Sequence, residues 1–363
     1  MKFTIGKDDL KSAAKFVGRV APSRPTSPIL AGVMIHADAS KGVTFTVYDY
    51  ERAAQTVADA TVDDGGSVLV SARLFQAITD RMPGSNVTVE LDDSRVRIKS
   101  GNARFDLPSM PVEEYPVPDF TAQPLATMPA TVFEDAASRV AGVASKDDVT
   151  PIITAVQVTV GERVTFIATD RFRVAEYVAS ATVESEGVVL IPAQVLSDAA
   201  KSFTGEVSIG VTGADNPKVV IAGNEGSIMS LMVSGNYPPV SRLMDIAVGG
   251  STVVDSDALA ETVARCSVVV EREQPLRFDF GADNLTVSST QSENGATESL
   301  TVSDGHEQVL ALKPQFVVDG LKACRSQTVE FQFSEQRSDK PGPVMFIGGN
   351  GFRYLLQPNL LAG

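Results

Sequence analysis

"VLVSARLFQAI", residues 68–78, reads as a short apolar strand, a small break and the start of an amphipathic helix. The same phrase returns as "VLIPAQVLSDAA" from Val189 and "VLALKPQFVVDGL" from Val309, at intervals of 121 and 120 residues. Other landmarks keep the spacing. "PILAGVMIHADASKGVTFTVYD" (28–49) matches "PIITAVQVTVGERVTFIATD" (151–170) in pattern, and Asp49 and Asp170 stand 121 residues apart. "LPSMPVEEYP" ends at Pro116 and "LMVSGNYP" at Pro238, an interval of 122, while the third unit has "PLRFDFGADNLTVSSTQ" from Pro275. Repeats this long are whole domains rather than solenoid turns. The chain is therefore expected to hold three similar domains, 1–120, 121–246 and 247–363, with boundaries near the proline-rich stretches 116–129 and 237–250.

Within each unit a first helix is expected from "KDDLKSAAKFVGRV" (7–20), "PATVFEDAASRVAGVA" (129–144) and "DSDALAETVARCSVVV" (255–270). Alternating stretches such as "NVTVELDDSRVRIKS" (86–100) follow as strands. Two helices packed on one side of antiparallel sheets make an α+β domain, used three times.

With 363 residues the chain is too long for one comfortable core. Its longest apolar runs, "VVLI" (188–191) and "SVVV" (267–270), are strand-sized, so no membrane span is expected. "MKFTIGKDDL" offers no apolar leader, and Cys266 and Cys324 form no disulfide framework, which fits a reducing cytoplasm. A net charge of −14 repels DNA at long range, yet binding follows local potential. Lys7, Lys11, Lys15 and Arg19 recur every four residues along one helical stripe. Arg73, Arg81, Arg139, Lys146, Lys201, Arg265, Lys322 and Arg325 sit in or beside the other helices, whereas acids gather in "VDDGG", "LDDS", "VEEY" and "VESEG". The pattern permits a positive helical face and a negative exterior, and equally a row of solvated lysines.

Catalytic constellations are scarce. His36 and His306 lie in different repeats without ligand spacing, so no metal site is expected. "GGNGF" (348–352) reads as a hairpin turn, the acidic pairs 63/64, 92/93 and 147/148 as solvated turns, and no GxSxG occurs. The chain reads as a binding device that needs no cofactor, not an enzyme.

"RPTSPIL" (24–30), "ATDRFRVA" (168–175), "GNYPPVSRLM" (235–244) and "YLLQPNLL" (354–361), in that order within a tripled chain, resemble the bacterial DNA polymerase III beta subunit, the replicative sliding clamp. "YDYE", "VEEYP" and "TDRFR" are most similar to actinobacterial members. The resemblance implies three DNA-clamp domains assembled with a second copy as a head-to-tail homodimeric ring. The basic helical residues, joined by Arg24, would face duplex phosphates without reading bases. Cytoplasmic, nucleoid-associated placement follows.

The resemblance also implies a partner pocket for short linear peptides of the replicative polymerase, the clamp loader, translesion polymerases, repair proteins and ligase-like partners, and a target for clamp-directed inhibitors. It would comprise Ile153, Thr169, Arg171, Phe172, Arg173 and Val174 from the second repeat, with Pro238, Arg242 and Leu243 from the linker. Phe316, Pro343, Val344, Leu355, Gln357, Pro358 and Asn359 would complete it from the third. Val174, Leu243 and Leu355 are expected to bury a peptide's leucine and aromatic anchors, with the stems of Arg173 and Arg242 along the groove and their donors at its rim, Arg173 in the pocket proper and Arg171 at its edge, neither assigned to DNA. Two arginines alternating on a strand exit are the plainer alternative. Gln357 and Leu360 stand where the family usually places methionine and arginine, and Arg171 where glycine is common, which leaves room for a duplicated, phage-borne or inhibitor-resistant variant. The dimer seam would set Phe105 and Leu107 against Val268 and Val269. Two rivals stay open: a clamp-fold scaffold never loaded on DNA, and an acidic-site DNA-processing enzyme.

Overall fold

The alternation seen in sequence becomes burial alternation in the strands: in Lys2–Gly6, Phe3 and Ile5 are buried while Lys2 faces solvent. The structure, a computed structural model, describes all residues except 23–24, 148, 214–215, 272–273, 290–293, 336–340 and 361–363. Among the described residues six α-helices carry the repeats in pairs: α1 (Lys7–Gly18) and α2 (Ala72–Thr79), α3 (Ala130–Val140) and α4 (Ala193–Ala199), α5 (Ser256–Cys266) and α6 (Pro314–Cys324). Their starts follow local chemistry. Ser71 Oγ accepts from the Leu74 amide at α2, Asp255 from Ala258 at α5, and Pro314 opens α6, where its missing N–H leaves no bond unmade. On α1, Leu10, Ala13, Ala14, Phe16 and Val17 form the buried stripe, and the lysines recur on the other side. Burying a leucine or phenylalanine of this kind contributes roughly 1.5–3 kcal/mol.

The ladders described, such as Lys2–Gly6 with Asn86–Asp92 and Val248–Asp255 with Thr328–Ser334, are antiparallel, as expected for the α+β class. The described residues form two compact units, each with its own sheets. The first (Met1–Glu134, Ala181–Gly187, Gln194–Met232) holds a five-stranded and a nine-stranded sheet. The second (Asp135–Ser180, Val188–Ala193, Val233–Gly363) holds an eight-stranded and a four-stranded sheet. The units do not follow the repeats, because strands of successive repeats join edge to edge. In the first unit Arg52–Ala58 pairs with Gly226–Leu231, and in the second Arg173–Ala179 pairs with Phe352–Leu356. The central repeat thus contributes to both units. No helix among the described residues is long and apolar enough to cross a membrane.

Candidate functional site

Strand parity builds the site. Arg173–Ala179 pairs on one side with Val164–Thr169 and on the other with Phe352–Leu356, setting Val174 opposite Thr169 and Leu355, and Glu176 opposite Ile167 and Arg353. The next strand out, Val344–Ile347, sets Met345 beside Leu355. Ile167, Val174, Met345 and Leu355 therefore share one face and form an apolar floor. The linker between the second and third repeats crosses it: Val240 and Met244 of the 3-10 turn Val240–Met244 pack onto the floor, with Tyr237, Ile246 and Ile347 at its margins. The same turn leaves Arg242 exposed and Leu243 53% exposed. Beside this cluster an open cleft of about 450 Å³ is lined by Met244, Asp245, Ile246 and Ala247 and by Gln332, Met345, Ile347 and Arg353.

The turn after Thr169 is held from within. Asp170 Oδ1 accepts from the amides of Phe172 and Arg173, both at 3.1 Å, while Thr169 Oγ1 accepts from Arg171 N and donates to Arg173 O at 2.7 Å. Arg171 adopts φ 81°, the left-handed region where glycine is usual, and its exposed guanidinium lies 3.5 Å from Asp147. Phe172 is 54% exposed and its ring stacks on Phe316 at 6.2 Å, with Lys313 Nζ over both rings. Gln357 donates its amide to Phe172 O at 3.0 Å and its side-chain nitrogen to Pro341 O at 3.2 Å.

Arg173 corrects the expectation of a rim donor. Parity puts it on the opposite face from Val174, 8% exposed, beneath α6. Its guanidinium donates to Asp170 at 2.8 Å, Asp319 at 2.7 Å and Tyr354 at 3.2 Å, and lies 4.4 Å from the Phe316 centroid. Burial disfavours its charge, but Tyr354, Asp319 and Asp170 outweigh that and hold its pKa above the ordinary arginine value. Burial likewise pushes the Tyr354 hydroxyl above the usual phenol range. Val344 is also on this inner face, fully buried. Ile153 and Pro358 are buried, Pro238, Phe316, Pro343 and Asn359 are partly exposed, and Gln357 and Leu360 are exposed. Ile167, Met345, Tyr237, Val240 and Met244 were missed. Alternation could have found the first two, which stand two residues before Thr169 and one after Val344.

Of the basic residues, Lys11, Lys15, Arg73, Arg81, Lys146, Lys201 and Lys322 are exposed, Lys7 and Arg19 partly so, and Arg24 lies outside the described residues. Arg19 donates to Ser202 Oγ, and Arg81 to Ala77 O. Arg139 corrects the expectation of a DNA-facing cation. It is 5% exposed, donates to Asp135 at 3.0 Å and Gly349 O at 2.8 Å, and its guanidinium carbon lies over the Tyr177 and Phe352 rings. Arg265 and Arg325 reach solvent but pair with acids, Arg265 with Glu298 at 2.6 Å and Arg325 with Asp135 at 2.5 Å. Their charge is thereby partly neutralised.

Phe105 (37% exposed) and Leu107 (8%) lie on Ala103–Pro108, an edge strand of the five-stranded sheet. Val268 is 83% exposed in the turn after α5, with Val269 half-buried beside it. An edge strand offers unpaired backbone groups as a template for another strand. Among the described residues no group of three or more His, Cys, Asp or Glu side chains could hold a metal ion.

This arrangement of sheets, linker and paired helices is shared with known proteins. Family models described as the N-terminal, central and C-terminal domains of the DNA polymerase III beta subunit match residues 1–119, 127–239 and 250–341. The beta sliding clamp of Streptomyces coelicolor is 30% identical over 100% of both chains, and that of Micrococcus luteus 36% identical over 83% of this chain and 98% of its own. A solved structure of the Pseudomonas aeruginosa sliding clamp bound to griselimycin superposes with a TM-score of 0.90 at 20% identity, covering 99% of this chain and 100% of that one. The chain belongs to the DNA polymerase III beta-subunit family, the bacterial sliding clamps, with actinobacterial relatives among its matches.

Proposed function

We propose that two copies of this chain close into a head-to-tail ring around duplex DNA, without reading its sequence, and tether a polymerase so that synthesis is processive. The observation that carries this reading is the correspondence to sliding clamps along the whole chain, with three domain models in order. No reaction is catalysed. The exposed lysines and arginines of the helices meet phosphates through loose contacts, which suits sliding, and topology keeps the ring in place. Edge strand Ala103–Pro108 and the Val268–Val269 turn, on different parts of the chain, form the seam between copies.

The apolar floor under Leu243 takes a partner's short linear motif, with Arg242 and Arg171 at the margin. Motif-bearing segments of the replicative polymerase, the loader, translesion polymerases, repair proteins and ligase-like proteins compete for it in the cytoplasm, at the nucleoid. That a sliding clamp of similar fold is bound to griselimycin supports reading this chain too as an inhibitor target, for which the floor is the site we assign. Light scattering across a dilution series tests the assembly: a mass near 77 kDa, twice 38.4 kDa, is expected, followed by retention on closed circular but not linear DNA. A 38 kDa monomer at every concentration overturns ring closure, and equal loss from both DNA forms overturns sliding.

A further inference from the structure

The arrangement that carries the floor occurs twice. At the junction of the first and second repeats, the 42–58 hairpin meets the 218–231 hairpin as the 164–179 hairpin meets the 344–356 hairpin. Asp49 Oδ1 accepts from the amides of Glu51 and Arg52 at 3.1 and 2.6 Å, the bonding seen at Asp170. The next residue, Tyr50, has φ 72°, as Arg171 has 81°. A linker tyrosine is anchored at each junction. Tyr115 accepts from Tyr48 N at 2.7 Å and donates to Gly32 O at 3.2 Å, while Tyr237 accepts from the Thr169 amide and donates to Ala155 O at 3.3 Å. The ladders make Ala53 opposite Met229 the counterpart of Val174 opposite Leu355, and Val220 the counterpart of Met345.

One position breaks the match. Tyr48 stands where Thr169 stands, and its ring packs in one buried cluster with Ala53, Val220 and Met229, the counterparts of the peptide floor. Lys218, which precedes Val219 as Pro343 precedes Val344, holds it there: Nζ is 2.7 Å from the Tyr48 hydroxyl and 5.0 Å from the ring centroid. Thr169, by contrast, turns its short side chain back onto its own turn through two hydrogen bonds.

We propose that residue 169 decides which junction takes a peptide: beside Thr169 the Val174, Met345 and Leu355 floor is covered by the linker residues Val240 and Met244, which a partner's apolar anchor displaces, whereas at the first junction the strand itself supplies the Tyr48 ring to the equivalent floor. This rests on the pocket reading above. Thr169→Tyr adds the ring, and the isosteric Thr169→Val removes only the hydroxyl bonds, so the pair separates filling from loss of those bonds. The first junction forms the same turn with tyrosine in place, so Thr169→Tyr is compatible with the backbone.

The test is fluorescence polarisation on the full chain, using a fluorescein-labelled pentapeptide with leucine and phenylalanine anchors. Thr169→Tyr is expected to weaken binding more than about tenfold, and Thr169→Val by less than about threefold, with solution mass unchanged. Unchanged affinity in Thr169→Tyr, or equal losses in both variants, overturns the proposal. Val174→Phe fills the floor from the facing strand and must show the same loss if Thr169→Tyr does not express. Leu243→Asp is measured in parallel. If it weakens binding while Thr169→Tyr does not, residue 169 is not the determinant and the pocket stands. If neither variant nor the unaltered chain discriminates the peptide, the pocket reading falls as well.

Discussion

The two junctions share a backbone and differ inside. Both have an aspartate-held turn, a positive φ after it, a linker tyrosine and the same ladder register, yet one is closed by Tyr48 and Lys218 and the other leaves Leu243 and Phe172 half exposed. Side chain to backbone hydrogen bonds set the path of the chain, and they do so whatever the next side chain is. The face that a strand presents sets the chemistry. Duplicated domains can therefore keep one fold while two like sites are filled by different side chains.

The two turn arginines break that comparison most sharply. Arg173 is buried and joined to Asp170, Asp319 and Tyr354, whereas the Arg52 side chain is 31% exposed and stands 3.9 Å from Asp49. Arg173→Ala removes the buried donor shared by Asp170, Asp319 and Tyr354, although Asp170 keeps its two amide donors and Asp319 keeps Gln315, and is expected to cost about 2–3 kcal/mol. Arg52→Ala is expected to cost under about 1 kcal/mol. Urea unfolding midpoints check this, and equal losses would mean that the two turns are held alike.

Tyr48→Thr has an effect of similar size. It opens a void among Ala53, Val220 and Met229 and removes the hydroxyl that Lys218 meets, with an expected cost of about 2–4 kcal/mol. Thr169→Val, which leaves no void, is expected to cost about 1 kcal/mol. A Tyr48→Thr chain as stable as its parent would show that the first junction is not filled by that ring.

The smallest effect sharpens the likeness instead. Burial pushes both Tyr115 and Tyr237 up to about 12 from 10.0. Between those values the unfolded chain has lost protons that the folded chain keeps, so stability falls as pH rises. Each tyrosine contributes on the order of 2 kcal/mol that is fully present below pH 10 and gone above pH 12. Midpoints at pH 9 and 11 measure the slope, and Tyr115→Phe and Tyr237→Phe are each expected to flatten it by a similar amount. A flat profile in the parent chain would remove the hydroxyls from the account.

The tripled fold was legible because the strand, break and second-helix start recur at 121 and 120 residues and the first helix returns at similar intervals, signals that are local. Asp49 and Asp170 could be matched from that spacing alone. The inner or outer face of Arg173 was not legible, since it depends on which residue begins the strand, and a shift of one reverses every side chain. Arg139 looked like a helix-surface cation. Its acceptor Gly349 is 210 residues away, and no helical period reports that. Tyr48 and Lys218 meet across 170 residues for the same reason.

Where the first and second repeats meet, Gln55, Ala54, Ala53 and Arg52 face Ser227 through Ser230 in one continuous ladder, and the connecting segment runs past Val117, 88% exposed. The covalent connection is therefore not what keeps these strands in company. A break in the peptide chain near Val117 would leave the nine-stranded sheet intact, so a nicked molecule would run as two pieces in detergent and as one body in buffer.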